Sequence, residues 1–267
     1  MKGQCMKTYI QTGCVWDILA LDLIDVGKGD APVLIQEKDR KVIREMFAEG
    51  LQGPVKLVVF TEGVLQLSGA APCPYCKQTV QLVEEVAGLS DQLSVEVVNF
   101  YTDKEKVAEY GIARIPAVAI VGAEDYGVRY YGIPAGYEFT AFIEDIMDVS
   151  KGTTDLAPET KEMLARIDKP MHIQVFVTPT CPYCPPAVRF AHKLAIENPN
   201  IKADMVESQE FPELASHYNV FGVPRTVINE DYYFEGAMPE QYAILHVLQA
   251  AGKLTPEEEK QLAALAR

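Results

Sequence analysis

The tetrapeptide Cys-Pro-Tyr-Cys occurs twice in this chain, as Cys73, Pro74, Tyr75, Cys76 and again as Cys181, Pro182, Tyr183, Cys184. Two cysteines at this spacing can supply half of a four-sulfur zinc site, or they can cycle between dithiol and disulfide. Exchange needs a thiolate, and a free thiol with a pKa of about 8.5 is mostly protonated at neutral pH. A helix tip changes that, because its unpaired backbone N–H groups and the positive end of its peptide dipoles favour the anion. Both tetrapeptides follow an apolar strand-like run and precede a helix-like one, 77–89 and 185–198. This predicts Cys73 and Cys181 outermost at a helix tip. Cys76 and Cys184 then lie one turn deeper and close a tight disulfide. Pro182, Pro185 and Pro186 fit only a first helical turn, which predicts that the second of these helices starts at Cys181. In the resulting mechanism Cys73 or Cys181 attacks a substrate disulfide, and Cys76 or Cys184 resolves the mixed disulfide. Tyr75 and Tyr183 flank the reactive sulfur or simply fill surface. The zinc reading is weaker: 104 residues separate Cys76 from Cys181, against about 15–20 in common Cys₄ sites. No metal is expected.

The elements that position these cysteines are themselves repeated. Cys73 and Cys181 are 108 residues apart, and the same offset carries Tyr110 onto Tyr218, Pro116 onto Pro224 and Glu96 onto Asp204. A repeat of that length is a small domain used twice. Each copy reads as a helix (37–50; 158–168), a near-continuous apolar strand (55–60; 172–177), the cysteine motif and its helix. A second strand (93–100; 201–208) and a short helix (103–110; 211–218) follow, then a proline-led strand, a final strand and a closing helix. That order predicts an α/β fold in which each unit is a mixed β-sheet flanked by helices. The first strand has a larger offset, 116 from Phe60 to Phe176, so an insertion of about eight residues, "GVLQLSGA", stands before Cys73. The expected organisation is an N-terminal extension over 1–36 without a counterpart, a first unit over 37–150 and a polar linker with a second unit over 151–252. A charged tail covers 253–267.

Pro116 and Pro224 follow their first cysteines by the same 43 residues. A proline opening a strand at a fixed distance from a reactive cysteine is a candidate for a cis X–Pro bond. Such a bond turns the backbone of Ile115 and Val223 outward, where a substrate segment pairs as an added strand. Other polar residues signal less. Glu96 and Asp204 could accept a proton from the resolving thiol or could be matched surface charges. His192 is eleven residues beyond Cys181, about 16 Å along a helix, too far for a base. His172, His217 and His246 lack ligand spacing, and Cys5 and Cys14 are candidates for a third disulfide without a catalytic part. "GKGD" at 27–30 is not a phosphate loop, so no nucleotide cofactor is expected.

A net charge of −14 argues against a nucleic-acid or anionic-membrane binder. A hydrophobic content of 48% and a charged content of 23% are those of a globular chain. No apolar run approaches the length of a membrane span, and Asp17, Asp22 and Asp25 interrupt any signal-peptide core. The cytoplasm is the expected compartment, where CxxC points to redox or metal chemistry rather than to a disulfide scaffold.

Each copy resembles a thioredoxin/glutaredoxin-fold unit, with CPYC at a helix start and a later Ile-Pro or Val-Pro. Over about residues 37–252 the tandem arrangement, with "VFVTPTCPYCPPAVRFAHKLAIEN" and "YGVRYYGIPAGYEFTAFIEDIMDVS", resembles the protein disulfide oxidoreductases of thermophilic archaea and bacteria. The resemblance implies formation, reduction and reshuffling of protein disulfides in the cytoplasm. It implies no cofactor beyond the redox-active disulfides, and electrons from a thioredoxin-reductase-like flavoprotein. Carried over by position, Cys73 and Cys181 are nucleophiles, Cys76 and Cys184 resolving thiols, and Pro116 and Pro224 cis-prolines. A dedicated relay to a peroxiredoxin is the alternative partner reading. A glutathione-dependent glutaredoxin shares CPYC, but the sequence carries no second signal for glutathione.

Overall fold

The structure, a computed structural model, describes residues 33–63 and 72–265. Cys5, Cys14 and nearly all of the insertion before Cys73 lie outside the described residues. The first half contains α1 (Glu37–Gly50), β1 (Val55–Thr61), α2 (Cys76–Ala87), β2 (Leu93–Asn99), α3 (Lys104–Tyr110), β3 (Ala117–Val121), β4 (Val128–Tyr131) and α4 (Glu138–Lys151). The second half repeats that order with α5 (Pro158–Leu164), β5 (Met171–Val177), α6 (Cys184–Glu197), β6 (Ile201–Glu207), α7 (Pro212–His217), β7 (Arg225–Ile228), β8 (Tyr232–Glu235) and α8 (Glu240–Ala251). A further helix, α9 (Pro256–Leu265), follows.

The strands of the described residues join one eight-stranded mixed sheet in the order β2-β1-β3-β4-β6-β5-β7-β8. Within each half, the first two strands are parallel and the last two run in antiparallel register, Phe60 opposite Ala117 and Phe176 opposite Arg225. The halves meet through the parallel pair β4–β6, with Val128 opposite Ala203 and Tyr131 opposite Val206. Strands β1, β4, β6 and β5 therefore all end on the same edge of the sheet.

The apolar runs of β1 and β5 are continuous because both faces are covered. Leu57 and Val59 face a core built on α1, α2, α4, α6 and α8, while Val58 and Phe60 face a smaller one under α3 and α7. Helix α4 belongs to the first half by sequence but packs beside α6 of the second. It buries Phe139, Phe142, Ile143, Ile146 and Val149. Each such side chain contributes about 1.5–3 kcal/mol relative to exposure, so α4 fastens the halves together. Gly152 ends α4 in the left-handed region, at φ 66°, where glycine carries no Cβ penalty.

Ile35, placed in the N-terminal extension, is fully buried, and the amides of Leu34 and Ile35 donate to Glu85 at 3.0 Å. The stretch expected as a charged tail holds α9. Thr255 and Glu258 exchange backbone-to-side-chain hydrogen bonds there as a capping box, and Arg166 grips Glu258 with two nitrogens at 2.8 and 3.1 Å.

Candidate active sites

Each tetrapeptide follows the C-terminal end of β1 or β5. Cys73 is joined to Cys76 and Cys181 to Cys184 by disulfides, with Cα separations of 5.4 and 5.5 Å. Helix α6 begins at Cys184, later than the Cys181 at which the proline argument placed it, and α2 begins at the matching Cys76. The amides of Cys76 and Cys184 turn back to the carbonyls of Cys73 and Cys181, at 3.4 and 3.3 Å. Cys-Pro-Tyr therefore forms a tight turn capping the helix. Pro185 and Pro186, not Pro182, occupy the first helical turn, where missing N–H groups cost nothing. The second cysteine of each pair is sealed, Cys76 at 1% exposure and Cys184 at 0%. The first is the more open of the two, Cys73 half-buried and Cys181 at 9%. Pro74, Tyr75, Pro182 and Tyr183 are exposed around it. Cys73 is thus partly open to a reactant and Cys181 only slightly so, whereas Cys76 and Cys184 are covered on every side but that of the neighbouring sulfur.

Both Ile115–Pro116 and Val223–Pro224 are cis peptides. They stand at the entrance to β3 and β7, which run antiparallel to β1 and β5, so they lie on the same sheet edge as the cysteines. The carbonyl oxygen of Val223 is 3.7 Å from Cys181 Sγ. β1 and β5, the strands that lead to the two sites, stand four strand positions apart, about 19 Å across the sheet.

Glu96 and Asp204 do not reach the cysteines. Glu96 lies opposite mid-strand Val58, 3.2 Å from Lys56 and paired with Lys106, and Asp204 accepts from His172 at 2.6 Å. Their matched positions reflect matched ion pairs, and neither carboxylate takes a proton from a resolving thiol. His192 is no surface residue either. It is fully buried, with Nδ1 2.5 Å from Asp145 Oδ2. Asp145 also accepts from Tyr130 Oη at 2.5 Å and from Arg189, which in addition binds Asp148 at 2.6 Å and Glu144 at 3.0 Å. Burial alone would raise the Asp145 pKa, but Arg189 and His192 outweigh it and hold the carboxyl below its usual range.

Three residues near the sites carry no signal in the motif itself. Glu62 follows β1, is 7% exposed, and accepts the Cys73 amide at 3.2 Å. Glu138 opens α4, 1% exposed, with neither carboxyl oxygen hydrogen-bonded among the described residues. Burial, reinforced by Asp145, pushes its pKa well above the usual carboxyl range. The turn before α4 abuts the loop leading to Cys181. Tyr137 donates to the Pro179 carbonyl at 3.1 Å, and a Cβ at Gly136, at φ 64°, would overlap that carbonyl. Finally, Phe221, two residues before Val223, is 92% exposed, as Tyr183 is at 70%. The repeat aligns Phe221 with Ala113, so the first site lacks this aromatic. That mismatch between copies was the signal available in the sequence.

Between the sites, at the ends of β4 and β6, Glu210 accepts the Ile133 amide at 2.7 Å and donates its own amide to Glu207 at 2.6 Å. Burial, partly offset by the Ile133 amide and reinforced by Glu207, pushes the Glu210 pKa up to about 7. Among the described residues there is no cluster of three or more metal-ligating side chains, and no helix is long and apolar enough to cross a membrane.

A family described as "Thioredoxin domain" matches residues 65–144 and 171–249. A protein disulfide oxidoreductase from Aeropyrum pernix is 34% identical and superposes with a TM-score of 0.73, over 82% of this chain and 95% of that one. The alkylhydroperoxide reductase AhpF of Enterococcus faecalis is 25% identical with a TM-score of 0.70, over 79% of this chain and 97% of the solved one. The F component of alkyl hydroperoxide reductase of Staphylococcus aureus is 27% identical over 197 residues, 69% of this chain and 38% of that protein. NADH dehydrogenase of Bacillus subtilis is 25% identical over 162 residues, 61% of this chain and 30% of that protein. The chain thus spans about a third of the length of these curated relatives.

Proposed function

Because this chain belongs to the thioredoxin-domain family and is a thiol–disulfide oxidoreductase of the tandem kind, we propose that it oxidises, reduces and reshuffles disulfides of protein substrates at both CPYC sites. One observation carries this reading. In each half a more open cysteine is disulfide-bonded to a sealed one at a helix start, beside an Ile-Pro or Val-Pro backbone. In this reading residues 37–150 and 151–252 are the two redox units.

The reduced enzyme acts as follows. The thiolate of Cys73 or Cys181 attacks one sulfur of a substrate disulfide, forming a mixed disulfide and expelling a substrate thiolate. Cys76 or Cys184 then loses its proton and attacks the sulfur of its partner cysteine. The second substrate thiolate leaves, and the enzyme disulfide holds the two-electron oxidation. Ile115 and Val223 offer backbone groups to an extended segment flanking the substrate cysteine, and at the second site Tyr183 and Phe221 cover its apolar side chains. Glu138 places a buried carboxyl, its pKa pushed up by burial, at the start of α4, the helix packed on that of Cys184. A thioredoxin-reductase-like flavoprotein is the proposed electron donor. The likeness to the F components of alkyl hydroperoxide reductases favours a second reading, a relay that passes electrons to a peroxiredoxin.

The test is reduction of an unfolded disulfide-bonded protein by wild type, Cys73→Ser, Cys181→Ser and the double variant. Each single variant retains the activity of the other site, and the double variant falls to background. Full activity in the double variant would overturn the proposal. Wild-type turnover confined to a peroxiredoxin would select the relay.

A further inference from the structure

The shared motif hides a difference in charge between the two sites. Glu62 stands immediately beyond β1, its backbone carbonyl held by Asn99 Nδ2 at 3.3 Å and its Oε2 accepting the Cys73 amide at 3.2 Å. Counted from Phe60 and Phe176, the matching residue in the second half is Thr178, whose neutral backbone carbonyl accepts the Cys181 amide at 3.1 Å. The first cysteine's amide is therefore accepted by a buried side-chain carboxyl group at the first site and by a backbone carbonyl at the second. Covalent geometry keeps Glu62 Oε2 within about 7 Å of Cys73 Sγ in any rotamer.

We propose that Glu62 is a positioning residue that sets the charge of the first site: it disfavours the Cys73 thiolate and so makes the Cys73–Cys76 dithiol a stronger reductant. The inference rests on the reading of that pair as redox-active. The half-reaction is disulfide plus two electrons and two protons to dithiol, and one proton fewer is taken up where Cys73 is ionised. A neighbouring anion destabilises only the ionised reduced form, so the disulfide gains by comparison and the dithiol surrenders its electrons more readily.

Other charges round Cys73 act in the opposite sense. Lys77, on the first turn of α2, is exposed, and its field is weakened by water and salt. Arg114, in the loop before Pro116, lies over the rings of Tyr131 and Phe211 at 5.4 and 5.9 Å. Glu62 is the buried member of the set, and burial is what preserves a charge effect against screening.

A like charge at this range shifts a thiol by about one pKa unit or more, so removing it makes Cys73 about tenfold more acidic. The disulfide form has no ionisable sulfur. The shift in redox equilibrium is therefore absent below both thiol pKa values and complete above both, where tenfold corresponds to about 30 mV for a two-electron couple. Glu62→Gln keeps an oxygen for the Cys73 amide and removes only the charge; Glu62→Ala removes both.

The experiment equilibrates the full chain with dithiothreitol between pH 6 and pH 9, traps thiols by alkylation, and reads the Cys73–Cys76 and Cys181–Cys184 peptides separately by mass spectrometry. Alkylation rate against pH gives the Cys73 titration. In Glu62→Gln the Cys73 pKa falls by about one unit. Its pair shifts toward dithiol by nearly tenfold at pH 9 and by less than about twofold at pH 6, while the second pair does not move. Curves for Glu62→Gln that superimpose on wild type, or a shift shared by both pairs, would overturn the inference. A wild-type Cys73–Cys76 pair that never exchanges with dithiothreitol would remove the redox reading and this inference with it.

Discussion

Replacing Arg189 by methionine keeps most of the aliphatic stem and deletes the guanidinium that binds Glu144, Asp145 and Asp148. These carboxylates lie on α4 and Arg189 lies on α6, so the change falls on the contact between the halves. Removing one partner of a buried ion pair costs about 3–5 kcal/mol, because it strands a charge without water. Asp145 is fully buried but keeps His192 and Tyr130, and Asp148 keeps Lys151 at 3.2 Å. The lower end of the range applies, about 3 kcal/mol at pH 7. Guanidinium unfolding followed by circular dichroism measures it. The pH dependence supplies the sign. In the wild type Asp145 is depressed, so its contribution is present above the unfolded carboxyl pKa and fades as acid protonates the folded group. In the variant, burial dominates and favours the protonated carboxyl, so the deficit shrinks as pH falls toward 4.5. A loss under about 1 kcal/mol at pH 7, or a deficit that stays constant down to pH 4.5, would refute the account of α4 and α6.

Phe221→Ala, examined in a Cys73→Ser background, raises KM for an unfolded protein disulfide about fivefold, since half-burying a phenylalanine is worth about 1 kcal/mol. Turnover of a small soluble disulfide stays unchanged, and equal effects on both substrates would dismiss Phe221 as a contact. For Glu210, a folded pKa of about 7 against an unfolded carboxyl near the usual 4.5 means the native state holds an extra proton between those values. Stability therefore falls as pH rises through that window and levels off above it. Glu210→Gln flattens that slope and melts above the wild type at pH 8 but alongside it at pH 4, as thermal scans at the two pH values would record.

Much of the fold could be read from the sequence because the chain states it twice. Strands such as 55–60 and 172–177 are apolar on both faces, and the shared offset fixed the order of elements around them. The helix starts were misjudged at Cys181 because Pro182 satisfies a turn as well as a first helical residue; Pro185 and Pro186 mark the true start. Helix α9 was missed although Thr255, Pro256 and Glu258 carry a capping signature. Glu62 lies eleven residues before Cys73, an interval that includes the insertion, and no matching acid in the second copy drew attention to it. The Asp145–Arg189–His192 cluster links positions more than forty residues apart on different repeats. Within one helix His192 reads as too distant to matter; only the packing of α4 on α6 gives it a partner.

The parallel joint between β4 and β6 is also a mechanical one. Val128 to Tyr131 pair with Ala203 to Val206, so both cysteine pairs stand at one end of a single hydrogen-bonded sheet. One half can turn against the other only by breaking that pairing.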